Sequence, residues 1–301
     1  MHIPNEMLSG LICPVSAAVA ATGIAVAAYA ARRSQNRPSA SRFAAVAALV
    51  FAAQMLNFPV QDGTSGHLLG GVTASALLGV PFGVLALALV VSIQSLVFAD
   101  GGLLVLGANV LNMALLGAGV GGLINEVLRK QGLSRPLALL AASWASVLLA
   151  ASACGVELAI SGTIEAGKVL PAMIGVHALI GVGEALLTTV LVGAFASPPT
   201  TAARWNFAAP FLAAVLAATL LSPFASAHPD GLEWVAEQYG FLTEGVPLFV
   251  SPLADYAVPM ISNEALSTAF AGLIGVLLVA GAGMLFGRFF QAPQSAASVL
   301  R

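Results

Sequence analysis

The chain has 301 residues, of which 59% are hydrophobic and only 8% charged, with a net charge of −2 and a mean hydropathy of +0.96. Soluble domains carry roughly 25% charged residues, so this composition excludes a soluble domain and marks an integral membrane protein. The apolar runs exceed the roughly 20 residues a spanning helix needs, and none alternates over about 10-residue segments as a porin-like barrel would. Helices remain as the way to satisfy the backbone in lipid.

Read at breaks of Pro, Gly and charge, the sequence predicts nine transmembrane helices. They fall near Leu8 to Ala31, Phe43 to Asn57, His67 to Gly79, Phe82 to Ala99, Leu103 to Leu128, Leu137 to Ile160, Val169 to Ala196, Phe207 to Leu221 and Leu266 to Phe290. The third is short for a full span and is expected to be tilted, partly re-entrant or paired across a cavity. Two prolines in "SPPTTAAR", Ser197 to Arg204, mark the best internal boundary, which divides the chain into residues 1–200 with seven helices and 201–301 with two. The second part carries a long loop over residues 222–263, rich in acids, aromatics and prolines.

Lys and Arg cluster in cytoplasmic loops near helix ends. With the N-terminus outside, Arg32, Arg33, Arg37, Arg42, Arg129, Lys130, Arg135, Arg204, Arg288 and Arg301 all fall inside, and only Lys168 of the 11 basic residues falls outside. The acids mirror this, with Glu6, Asp62, Asp100, Glu157 and Glu165 outside and Asp230, Glu233, Glu237, Glu244, Asp255 and Glu264 in the last external loop. A miscounted helix scrambles such sorting. No basic n-region precedes the first apolar helix, so no cleavable signal peptide is expected and Met1 is expected to stay. Cys13 and Cys154 lack CxxC spacing and read as small buried residues.

Two motifs are decoys. "GTIEAGKV", Gly162 to Val169, has the GxxxxGK pattern of a phosphate loop, but Val169 stands where a Ser or Thr must hold magnesium, and no strand precedes it. "GAGVGG", Gly117 to Gly122, lies inside a membrane helix, where glycines serve close packing.

The opening "MHIPNEML" carries chemistry. A free amine, the next peptide nitrogen and an imidazole Nδ1 form fused five- and six-membered chelate rings, so Met1 and His2 offer three nitrogens in one plane. A fourth nitrogen completes the square that d-electron preference gives Ni(II) or Cu(II). His67, in the external loop "QDGTSGHLLGG" (Gln61 to Gly71), is the candidate fourth donor. Protons must leave the amine and imidazoles for binding, so affinity is expected to fall on acidification.

"MHIP", "GTSGHLLGG", "ADGGLLVLGANVLNMALLG" (Ala99 to Gly117) and "VHALIGVGEALLT" (Val176 to Thr188) resemble the substrate-capture subunits of energy-coupling-factor nickel and cobalt transporters, the NikM and CbiM family. "HPDGLE", His228 to Glu233, resembles the PDGLE-type N subunit of the same systems, so the chain looks like a fusion of the two. The resemblance implies an all-α membrane protein with an external N-terminus in a bacterial cytoplasmic (inner) membrane. The cargo it implies is Ni2+, with Co2+ a close second, held by the Met1 amine, the His2 amide and imidazole, and His67. No organic cofactor and no nucleic-acid partner is expected. The chain is then a transport subunit rather than an enzyme, with ATP hydrolysed by separate ATP-binding subunits and coupled through a transmembrane subunit. Asn5 and Glu6 depart from the acid-glycine pair that follows "MHIP" in many relatives, which puts the turn behind Pro4 in doubt.

Polar residues inside membrane helices are expensive and mark function or helix clamps. Glu184 and His177, two helical turns apart, share one face and read either as residues that position the metal loop or as a clamp between helices. Asn109 and Asn112 are candidates to brace the site. Ala17, Ala18, Ala21, Ala25 and Ala28 form a small-residue surface for docking the coupling subunit. The rival from another class is a proton-coupled secondary transporter with Glu184 as the carrier.

Overall fold

The computed structural model of the chain describes residues 1–61, 63–196, 203–242 and 250–291, and only the backbone of 203–206. The boundary expected at residues 197–204, together with Asp62, Glu244 and Arg301, falls largely or wholly outside the described residues.

The protein is an all-helical membrane protein. Its helices are α1 (Ile12–Arg33), α2 (Ala40–Gln54), α3 (Gly71–Leu78), α4 (Val80–Phe98), α5 (Leu106–Lys130), α6 (Arg135–Ile160), α7 (Ala166–Phe195), α8 (Ala203–Leu216, running on through Ser222–Phe224), α9 (Gly231–Tyr239) and α10 (Glu264–Arg288). Seven of these are long and apolar enough to cross a membrane, and α2 is a shorter apolar helix. Nine elements match the nine expected spans. The tenth, α9, lies in the acid-rich loop, where its Gly231 start follows a capping box between Asp230 and Glu233.

The third expected helix begins at Gly71, not His67. Just ahead of its first turn the Glu184 carboxylate accepts the backbone N–H groups of Leu69 (2.6 Å) and Gly70 (3.0 Å). Gly70 also adopts a left-handed φ of 77°. His67 therefore sits on a loop that follows a short antiparallel hairpin, β1 (Phe58–Pro59) and β2 (Ser65–Gly66). Helix α3 spans only 8 residues and is backed by α4 and α5.

Helix α2 is the axis of the molecule. Nearly all of its residues are buried, and it packs against α10 and α8 on one side and α3 and α4 on another. Glycines of α10 make this contact close. A Cβ at Gly287 would lie 2.9 Å from the Ala40 Cα, and one at Gly275 would lie 2.2 Å from the Phe51 ring. Small-residue packing of this kind joins membrane helices without a hydrophobic driving force. By it, the C-terminal helices are fixed on the element whose far end leads into the His67 hairpin.

Candidate metal centre

Residues Met1 to Met7 do not form a free tail: Met1 is 5% exposed, and Ile3 and Met7 are fully buried. The first turn of α5 and the loop before it hold them. Asn109 accepts the Ile3 N–H (2.8 Å) and donates to the Ile3 carbonyl (3.0 Å), and the Gly102 N–H donates to the same carbonyl (2.8 Å). The Asn5 carboxamide oxygen accepts from the Leu104 N–H at 2.9 Å. Gly101 is required beneath this segment, because its φ is 85° and a Cβ there would sit 2.8 Å from Asn109 Nδ2 and 3.3 Å from the His2 Cβ.

The terminal amine meets His67. The amine donates to His67 Nε2 at 2.6 Å, while the opposite ring nitrogen, Nδ1, is 3.0 Å from the Leu68 carbonyl. A carbonyl can only accept, so Nδ1 carries the proton and the Nε2 lone pair faces the amine. Burial, and then the positive amine beside it, lower the His67 imidazole from its ordinary 6.5. The neutral, ligating form is thereby favoured.

Two carboxylates enter the same space. Asp230 Oδ2 forms an ion pair with the Met1 amine, while Asp230 Oδ1 accepts from the N–H groups of Leu232 (2.8 Å) and Glu233 (3.0 Å) as the cap of α9. His67 Nε2 lies 3.8 Å from Asp230 Oδ2, too far for a hydrogen bond. Burial alone raises a carboxyl, but the ammonium and His67 outweigh it and hold Asp230 well below its usual range. Asp100 Oδ1 lies 2.9 Å from His2 Nδ1, and Asp100 Oδ2 accepts from the Tyr256 hydroxyl at 2.6 Å. Burial likewise opposes charge on Asp100, yet His2 and the Tyr256 hydroxyl hold it far below the usual range.

The structure thus brings Met1, His2 and His67 together. The two imidazole rings lie nearly parallel, 11° apart, with centroids separated by 5.4 Å. His2 Nδ1, expected as a ligand, here faces Asp100, and His2 Nε2 is buried without a hydrogen-bond partner. Among the described residues no three His, Cys, Asp or Glu side chains are grouped to hold a metal.

The other candidates divide. Glu184 reaches the site through the backbone at Leu69 and Gly70, two and three residues beyond His67. His177 bonds to the Met173 carbonyl at 2.8 Å and lines a cavity of about 20 Å³ together with Met1, His67 and Asp230. Asn109 braces Ile3. Asn112 instead donates to Glu157 Oε2 at 2.7 Å. Glu157, expected at the external end of the sixth helix, is a buried residue near the end of α6 whose carboxylate meets Asn112 inside the bundle.

Asp230, Asp100 and Tyr256 were not among the residues the sequence singled out for the site. The D-x-x-E spacing of Asp230 and Glu233 signals a helix cap, and that much is legible. The turn of the second carboxylate oxygen toward the chain start is not, since it depends on a contact across 229 residues.

Comparison with known proteins gives a consistent set. Residues 2–201 match CbiM, the cobalt uptake substrate-specific transmembrane region, and residues 204–292 match the PDGLE domain. The putative fused nickel transport protein NikMN of Archaeoglobus fulgidus is 37% identical over 303 residues, which covers 96% of this chain and 99% of that protein. The fused nickel transport protein NikMN of Rhodobacter capsulatus is 29% identical, covering 95% and 97%. The cobalt transport protein CbiM of Sorangium cellulosum is 30% identical, covering 54% and 76%. A crystal structure of a truncated transition metal transporter superposes with a TM-score of 0.57 at 30% identity, covering 64% of this chain and 97% of that one.

Proposed function

This chain belongs to the CbiM family, with a PDGLE domain fused behind it, and is a nickel/cobalt transport membrane protein of the CbiM/NikMN type; from that premise we propose that it is the metal-capture subunit of an ATP-driven energy-coupling-factor importer. Nickel is the first cargo and cobalt the second. Residues 1–200 form the capture domain and residues 201–301 an N-subunit domain whose loop reaches the metal site. The N-terminus lies outside the membrane, a reading supported by the sorting of basic residues along the chain.

The ion is held by four nitrogens: the Met1 amine, the His2 amide, His2 Nδ1 and His67 Nε2. The observation that carries this is the 2.6 Å approach of the Met1 amine to His67 Nε2, with the His67 tautomer set by Leu68. Two buried nitrogens 66 residues apart lie in direct contact, and once the amine gives up its proton both can turn their lone pairs to one ion, as a square nitrogen site requires. For His2 Nδ1 to ligate, its contact with Asp100 must open. The ATP-binding and coupling subunits then supply the work of delivery, and α1, the least buried of the seven spanning helices, offers them a surface.

Nickel titration of purified protein, with X-ray absorption to identify the ligands, tests the site. Tight binding through nitrogen, lost when one residue is added before Met1, is the expected result. Wild-type affinity in the extended chain, or ligation by oxygen or sulfur, overturns it. Cellular uptake tests the coupling. Loss of uptake without the ATPase subunits, and persistence after collapse of the proton gradient, is expected; the reverse favours a proton-coupled carrier.

A further inference from the structure

We propose that the C-terminal domain tunes the metal site through two side chains of opposite effect: Asp230, which orients the Met1 amine toward the ion, and Tyr256, which keeps Asp100 on His2 Nδ1 and so holds that nitrogen back. This rests on the four-nitrogen ligand set proposed above, and goes beyond it by naming what the fused domain does to each donor.

The difference in sign follows from valence. An amine that gives its lone pair to a metal keeps two N–H bonds, so the Asp230 Oδ2 contact survives ligation and fixes where the lone pair points. Partners of this kind orient metal ligands and tune their strength. Asp230 itself is fixed, because Oδ1 is committed to the first turn of α9. An imidazole Nδ1, by contrast, has room for one partner. Held 2.9 Å from Asp100 Oδ1, it cannot ligate until that contact breaks.

Tyr256 makes breaking it harder. Its hydroxyl donates to the other Asp100 oxygen at 2.6 Å, accepts from Gln94 Nε2 at 3.2 Å, and its ring stacks on Phe98 with centroids 4.6 Å apart. Its backbone φ is 54°, next to 52° at Asp255. A bulky residue rarely takes this conformation, and it persists only where the surroundings over-determine it. Here the Phe98 stack and the bonds to Asp100 and Gln94 hold the side chain in place. A recess of about 490 Å³ lies between the two contacts, lined by His2, His67, Asp100, Asp230 and Tyr256 among others, and gives an ion access to both.

The test uses the full chain with its native start in detergent. Nickel alone is the probe, with stopped-flow absorption of the nickel–nitrogen band for loading rate and a competing chelator for equilibrium affinity. Asp230→Asn keeps a helix cap but loses the charge; it is expected to weaken affinity about tenfold, the scale of lost outer partners. Tyr256→Phe keeps the ring; it is expected to load about two- to tenfold faster, the size one hydrogen bond supports, with no loss of affinity and an unchanged band. Thermal unfolding of each variant controls for folding, and Asp230→Ser, which also caps, replaces an Asp230→Asn protein that does not fold. Both variants shifting the same way, or neither shifting, overturns the opposed roles and leaves the contacts as simple docking. A wild-type protein without a nickel–nitrogen band removes the ligand set itself, a separate result that removes this proposal with it.

Discussion

Asn109 holds the Ile3 peptide from both sides, accepting its N–H at 2.8 Å and donating to its carbonyl at 3.0 Å. A chain terminus left to itself pays conformational entropy, roughly 1–2 kcal/mol per residue, each time it is ordered around a ligand. With Ile3 fixed in advance, Met1 and His2 are presented beside His67 before any ion arrives.

Asn109→Ala is therefore expected to weaken nickel binding. It orphans the buried Ile3 N–H, a loss of about 1–3 kcal/mol, and frees the segment that carries two proposed ligand residues. Calorimetry should find affinity reduced by about tenfold or more. Unchanged affinity would show that the clamp orders itself without this brace.

Glu184 acts at the other donor. Because its carboxylate accepts from Leu69 and Gly70, Glu184→Ala leaves two buried N–H groups unpaired at about 1–3 kcal/mol each. A lower thermal midpoint and weaker metal binding are expected together. Glu184→Gln, which keeps one acceptor oxygen, should lie between wild type and alanine. A Gln variant that binds nickel normally but abolishes uptake would point instead to a proton carrier at this position.

His67 sets a pH window. Its folded value lies below the ordinary 6.5, so between 6.5 and that lower value the unfolded chain binds a proton that the folded chain does not. Stability is then lost as pH falls below about 6.5, with the sign set by that difference in bound protons. Over the same window His67 stays neutral and able to ligate. Histidine-labelled NMR should place its midpoint below 6.5, and a His67→Gln protein should lose less stability on acidification than wild type. A midpoint above 6.5 would contradict the burial described here.

Helix α1 supplies the test of assembly. Ala17, Ala21 and Ala25 are all exposed, but the Ala17 backbone also passes Gly107 closely, its Cα 2.4 Å from where a Cβ there would be. Replacing Ala21 and Ala25 with Leu is expected to leave nickel affinity unchanged and to reduce co-purification of the coupling subunit. Normal assembly by this double variant would move the docking face elsewhere.

The sequence by itself determined the membrane class, the helical elements and the two imidazoles worth watching. Hydrophobic length and charge placement are local properties, read directly along the chain, and so is the spacing of amine, peptide nitrogen and imidazole within the first two residues. The tertiary structure alone decided which polar side chains meet. Asn109 and Asn112 are three residues apart, yet one reaches Ile3 and the other Glu157, because each faces a different neighbour across the bundle. Asp230 reads as a helix cap; packing of α8 and α10 against α2, with Ser65 bonded to the His228 and Pro229 carbonyls, carries its free oxygen to the amine at the other end of the chain. Contacts at such separations depend on how helices stack, and no spacing in the sequence encodes them.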